Sequence, residues 1–180
     1  MASRLLLVAH AETSGTRELV FGDRTVLSRP EHVSPLEERV SGWVCGPEPA
    51  CEQTARRLGG EPEEWPGLAG ADFGEWAGRA LAEVAADDPD GLRSWTTDPE
   101  ARPHGGESLA DLVRRVGRCL DAYAWSPGLT VAVVAPLVAR AAAVHALGAP
   151  PRVIFAVDVS PSGQVGLTRH GSVWRLRRLG

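Results

Sequence analysis

Apolar residues along this chain gather into short unbroken runs that alternate with stretches of helical spacing. Leu5-Leu6-Leu7-Val8 and Thr130 to Ala135 (TVAVVA) are continuous runs of the kind found in strands covered on both faces. Val40 to Gly46 (VSGWVCG) reads as another strand. PACEQTARRLG after it predicts a helix, with Pro49 suited to the first turn and Gly59 to the C-terminal cap. The clearest helix is SLADLVRRVGRCLDAY. Leu109, Leu112, Val113, Val116, Leu120 and Tyr123 recur there at three- and four-residue spacing, and Ser108 with Asp111 forms a capping pair at the start. PLVARAAAVHALG predicts a helix directly after the 130–135 strand. In the tail, VIFAVDV (residues 153–159) reads as a strand, and the runs on either side of His170-Gly171 read as a hairpin. Residues 65–99 mix turns with short helical pieces. The polar, Pro-punctuated stretch from Ser14 to Glu38 is long for a loop, which marks it as functional or mobile.

Strands alternating with helices imply an α/β layered fold, with a central mixed, mostly parallel sheet flanked by helices. Ligands of such sheets sit beyond the carboxyl ends of the strands. His10 and Ala135-Pro136 both stand at such ends, which brings them to one candidate pocket. The 180 residues suffice for one domain with a core and are few for two. No internal repeat or low-complexity linker divides them, so a single domain over 1–180 is expected.

Composition narrows the function classes. A hydrophobic fraction of 43% with 23% charged residues suits a soluble globular protein, and a net charge of −4 opposes nucleic-acid binding. No run approaches a membrane span, and the apolar start is too short for a signal peptide, so a cytoplasmic protein is expected. The chain has no lysine and no asparagine. With abundant Ala, Gly, Pro and Arg, this reads as the codon usage of a GC-rich bacterial genome. Cys45, Cys51 and Cys119 form no CxxC pair and read as small buried hydrophobes. Five scattered histidines show no metal-ligand spacing, so neither metal nor cofactor is expected.

Five segments carry a family resemblance: His10-Ala11-Glu12-Thr13, Gln53-Thr54-Ala55, Asp72 to Gly78 (DFGEWAG), Gly105-Gly106-Glu107-Ser108 and Val133 to Arg140. In this order they resemble the histidine phosphatase (phosphoglycerate mutase-like) superfamily. Its matching motifs are Arg-His-Gly-Glu-Thr, Ser-x-x-x-Arg-Ala-x-Gln-Thr-Ala, Phe-Gly-x-Trp-Glu-Gly, Gly-Gly-Glu-Ser and Val-Val-Ser-His-Gly-Gly-Val-Ile-Arg. The resemblance implies a single domain of that fold and a nucleophilic histidine at His10. It also implies arginines at 9 and 50, a carboxylic acid at 70 that protonates the leaving oxygen, and a second histidine at 135. This chain has Ala9, Ala50, Gly70 and Ala135 there, with Pro136 next to the last. Of that set only His10 is present.

Phosphoryl transfer works mainly by positioning and by neutralising charge on the equatorial oxygens, and each lost donor costs on the order of 100- to 1000-fold. The first expectation is therefore a pseudophosphatase, an eroded pocket lined by Ala9, Ala50, Gly70 and Ala135 that binds a small molecule or a protein partner. The second is a repurposed enzyme in which His10, with Glu12 as a possible orienting group or with His104, performs acid–base chemistry on a non-phosphorylated metabolite. The third is a residual phosphomonoesterase acting through His10 with relocated groups. Arg17, Arg24, His104 and Arg140 are the candidates for such ligand-binding groups. A homodimer stays open.

Overall fold

In the computed structural model, which describes residues 3–180, one six-stranded sheet forms the centre of an α/β domain. Its strands are β1 (Ser3–Ala9), β2 (Gly42–Cys45), β3 (Glu63–Glu64), β4 (Gly128–Val134), β5 (Gln164–His170) and β6 (Val173–Leu179), in the spatial order β3-β2-β4-β1-β5-β6. β3, β2, β4 and β1 run parallel, whereas β5 and β6 are antiparallel additions on the β1 side. The two unbroken apolar runs of the sequence are the two central strands. β1 and β4 pair in register from Ser3 with Gly128 to Ala9 with Val134.

Strand alternation divides the core. Leu5, Leu7, Ala132 and Val134 join the cluster formed with α5 (Leu109–Ala122) and α6 (Pro136–Ala146). Val8, Val131 and Val133 instead pack with Cys51 and Ala55 of α2 (Pro49–Arg57) and with Leu58, its C-cap. α5 starts as its sequence predicts: the Ser108 hydroxyl accepts from Asp111 N–H, and the Asp111 carboxylate accepts from Ser108 N–H. Ala139 and Ala141 to Ala143 are fully buried, and their small side chains allow α6 to lie close to both sheet and α5. The space between those helices is so tight that a Cβ at Gly117 would lie 2.4 Å from His145 Nδ1. No helix among the described residues is long and apolar enough to cross a membrane.

Two sequence expectations change. Residues 153–159 are not a strand: Pro151–Ala156 is a 3₁₀ helix. Pro150 (φ −66°) and Pro151 hold helical φ values at its entry, and both lack an N–H for a sheet ladder. The side of β1 that a further strand needs is already taken by β5. The long 14–38 stretch also carries structure of its own. It contains α1 (Ser14–Glu18) and a 3₁₀ turn at Pro30–His32, and it is tied down by bridges from Thr13 to Leu27 and from Val20 to Ala80.

The segment between β3 and α5, with α3 (Leu81–Asp87) and α4 (Pro89–Thr97), is organised by aromatic packing. Phe21, Phe73, Trp76 and Trp95 meet with centroid separations of 5.0 to 6.1 Å. His104 is fully buried among them, 4.9 Å from the Trp76 ring. Its Nδ1 accepts from Gly106 N–H at 3.0 Å, so the neutral ring carries its proton on Nε2. Nε2 has no hydrogen-bond partner among the described residues and faces aromatic surroundings, where an N–H···π contact is the remaining stabilisation. His104 is thus closed off from any ligand, contrary to its reading as a binding group. Gly74 completes the arrangement: its φ is +46°, and a Cβ there would lie 2.0 Å from the His104 carbonyl oxygen.

Two outcomes follow for stability. Gly74→Ala combines a left-handed backbone with a backbone clash, so denaturant unfolding should show a loss of more than about 1 kcal/mol. Burial also pushes the His104 pKa below its ordinary 6.5. The unfolded chain then takes up a proton near 6.5 that the folded chain refuses, and stability present above that pH is lost as pH falls. The unfolding midpoint of the wild type should drop between about pH 7.5 and about pH 5, with a flatter profile for His104→Phe.

Candidate functional site

His10 follows the last residue of β1, and backbone hydrogen bonds hold it there from two sides. Its N–H donates to the Val134 carbonyl at 2.9 Å, while Ser162 N–H reaches the Ala9 and His10 carbonyls at 3.1 and 3.3 Å. Ser162 holds a left-handed φ of 63°, a costly conformation for a residue with a side chain. The His10 side chain is buried, with Nδ1 2.9 Å from the Ala11 carbonyl. A carbonyl only accepts, so Nδ1 carries a proton, and in the corresponding neutral tautomer the lone pair lies on Nε2.

The segment Gln53-Thr54-Ala55 on α2 holds the loop after His10. The Thr54 hydroxyl accepts from Ala11 N–H at 3.0 Å, and Gln53 Oε1 accepts from Leu27 N–H at 2.9 Å. Ala55 is fully buried against the sheet. Ala50, one turn earlier, packs with Ala11 and Leu27 in a small apolar cluster. Ala9 is buried in the sheet, and Ala135 caps the start of α6 one residue beyond the Val134–Ala9 pair.

Around Ala135 the structure brings in a residue that sequence reasoning missed. Glu48 is buried at the start of α2, and its Oε1 accepts from Gly70 N–H at 2.7 Å. A Cβ built on Gly70 would lie 3.1 Å from that oxygen and 3.8 Å from Ala135 Cβ. The Gly70 peptide is also held from its other end, by Arg115, which donates to the carbonyls of Gly67, Ala69 and Gly70 and pairs with Glu107. Glu48 Oε2 lies 3.6 Å from Cys51 Sγ. Burial first, and then the Glu48 charge, push the Cys51 thiol well above its ordinary range. Cys45, buried and facing Glu52, Glu64 and Glu48, is pushed up to about 11. Neither thiol is a nucleophile at neutral pH.

Asp23 is the second residue missed. It accepts from the Thr13 hydroxyl and from Thr25 N–H. Burial alone would raise its pKa, but these hydrogen bonds from Thr13 and Thr25, with a smaller contribution from His10, hold it below the usual carboxylate range. The Asp23 carboxylate fills the space beside Gly15, where a Cβ would lie 2.0 Å from its carboxyl carbon. Neither position carries a motif signal, because both act through tertiary neighbours.

The other residues proposed from sequence do not converge on His10. Glu12 is exposed and paired with Arg17 at 2.5 Å, so the contact expected to orient the imidazole comes from the Ala11 carbonyl instead. Arg140 reaches the Val159 carbonyl at 3.4 Å and Asp158 at 3.5 Å. Arg24 is exposed. A cavity of about 310 Å³ opens beside the His10 loop, with Ala11, Arg29, His32 and Ser162 in its wall. A shallower cleft of about 500 Å³ lies against Gly70 and Arg115. No cluster of three or more metal-ligating side chains occurs among the described residues.

Known proteins share this fold. The model of the histidine phosphatase superfamily (branch 1) matches residues 33–180. A mycobacterial glucosyl-3-phosphoglycerate phosphatase superposes with a TM-score of 0.77 at 21% identity, covering 98% of this chain and 97% of that one. A putative alpha-ribazole-5'-P phosphatase from Escherichia coli superposes with a TM-score of 0.81 at 19% identity, covering 100% and 97%. At these identities the likeness establishes the fold. A bifunctional protein of Mycobacterium tuberculosis is 40% identical over 74 residues, which span 39% of this chain and only 20% of that protein. The family match over residues 33–180, most of the chain, means that this protein belongs to the histidine phosphatase superfamily, branch 1.

Proposed function

We propose that this chain uses the superfamily's pocket at His10 for a small molecule that carries no phosphate dianion. One observation carries the reading. Between Gly70 and Ala135, where the resemblance calls for an acid and an imidazole, the polar side chain is that of the buried Glu48, and positions 9, 50 and 135 carry only methyl groups. A dianion beside His10 would lack the donors that spread its charge. The Nε2 lone pair of His10 remains available as a base, so the pocket supports acid–base chemistry on a bound metabolite as readily as binding alone.

A second reading, residual phosphomonoesterase activity, is favoured by a different observation. The His10 tautomer leaves Nε2 free to attack phosphorus, and Arg29 and His32 stand in the wall of the neighbouring cavity. The two readings separate on a phosphoester panel that includes glucosyl-3-phosphoglycerate and α-ribazole 5'-phosphate, the compounds named for the structurally similar phosphatases. Wild type and His10→Ala should give equal background rates and no phosphohistidine. Turnover abolished by His10→Ala would overturn the proposal in favour of the second reading.

Restoring one cation should not revive phosphatase chemistry. Ala9→Arg alone should stay at background on the same panel, because positions 50 and 135 still lack donors. A rate rise of about 100-fold or more would show that a single guanidinium suffices and would contradict the reading.

A further inference from the structure

We infer that the cavity beside the His10 loop is a carboxylate subsite, with Arg29 as its specificity-determining residue and the Ser162 hydroxyl as a second donor. Its ligand is a small carboxylic acid with an apolar body. This deepens the reading that the pocket takes a phosphate-free small molecule, and it rests on that reading.

The cavity of about 310 Å³ is of a size for a small ligand. Its wall joins three segments: Ala11 and Glu12 after His10, Arg29, His32 and Val33 from the loop before β2, and Pro161 and Ser162 from the loop before β5. The bonds from Ser162 N–H to the Ala9 and His10 carbonyls tie this wall to the end of β1. Two of its charged groups differ in what they are free to do. Glu12 pairs with Arg17, and that hydrogen bond holds its carboxyl below the ordinary range. Arg29 makes no ion pair and no side-chain hydrogen bond among the described residues, although it stands at the N-cap of a 3₁₀ turn. Its guanidinium is always charged and carries five donors. All five face no protein acceptor.

Arg29 is nevertheless held in place by its neighbours. Leu27 N–H donates to Gln53 Oε1 and Ser28 N–H donates to the Glu12 carbonyl, each at 2.9 Å. Leu27 is buried with Ala11 and Ala50, and Val33 packs on the same cluster. Between these anchors Pro30 opens the turn Pro30–His32 with its fixed φ. A loop fastened on both sides of Arg29 loses little freedom on binding. The methyl group at 50 belongs to this seat. Where the resemblance calls for an arginine on α2, the chain supports a loop that carries one.

Ser162 is the independent sign of a ligand. Glycine would hold its φ of 63° at no steric cost, yet a side chain stands there and lines the cavity. Its hydroxyl has no partner among the described residues, and strained residues of this kind cluster at ligand sites. The donor set selects the anion. Two parallel N–H groups of one guanidinium match the two oxygens of a carboxylate and balance its single charge. A phosphate dianion would keep one charge unbalanced beside Glu12. Ala11, Val33 and Pro161 offer apolar surface to the rest of the ligand.

The test uses the whole chain in mildly alkaline buffer with three probes of one shape: benzoate, neutral benzamide and dianionic phenylphosphonate. Calorimetry and melting temperature are the readouts. The wild type should bind benzoate at least about tenfold more tightly than either other probe. Arg29→Gln should weaken benzoate at least about tenfold and leave benzamide unchanged, and Arg29→Lys, which keeps charge without the fork, should fall between. Ser162→Gly relieves the backbone, so it should unfold no earlier than the wild type while binding benzoate at least about threefold more weakly. A purely structural serine would not give that split, and unchanged affinity in Ser162→Gly would strike the second donor. Benzoate binding that is absent, or within about twofold of wild type in Arg29→Gln, would overturn the subsite alone. Phenylphosphonate bound more tightly than benzoate, and released by Arg29→Gln, would overturn the phosphate-free reading as well.

Discussion

The parallel pairing of β1 with β4 is the constraint on which the site depends. Seven residues of each strand are in register, and both strands are covered by apolar layers on their two faces. Two buried parallel strands must end together, and the backbone groups at their ends need partners. Those partners come from three different loops: His10 N–H and Gly46 N–H bond to Val134 and Val133, and Ala9 N–H bonds to Gly163. The loops after β1 and β2 and the loop before β5 are thereby drawn to one edge of the sheet. The pocket is a consequence of closing those ends.

The same demand gives several family motif residues a duty in the fold. Thr54 and Gln53 satisfy backbone N–H groups of the His10 loop, and Ala55 is buried against the sheet. Gly74 passes against the His104 carbonyl, where no larger residue fits. Such residues serve the fold, and each has a cost of replacement unrelated to catalysis. The polar groups that would touch a phosphate have no such second duty. Position 50 packs its methyl against Ala11 and Leu27, and position 70 contributes only its peptide.

The carboxylates of Glu48 and Asp23 accept from backbone and hydroxyl donors, while Arg115 spends its donors on three carbonyls and the Glu107 carboxylate of the scaffold.

Local pattern alone determined the central strands, α2, α5, α6 and the final hairpin, because period, capping residues and turn glycines act between neighbours in the chain. Ser108 with Asp111 and Pro49 with Gly59 are signals of that kind. So is the placement of His10 at the end of β1. Residues 153–159 were misleading because an apolar run specifies burial without specifying period, and Pro150-Pro151 with an occupied β1 edge decided for a 3₁₀ helix. Of the candidate site, the place of His10 in the fold was legible, whereas Glu48, Asp23 and the burial of His104 were not. Glu12 and Arg17 sat closest in sequence to His10 and turned toward each other in solvent. Glu48 meets Gly70 across 22 residues, and His104 joins aromatic rings that begin at Phe21. Which charges face a pocket is set by contacts between distant segments, and only the folded chain brings those segments together.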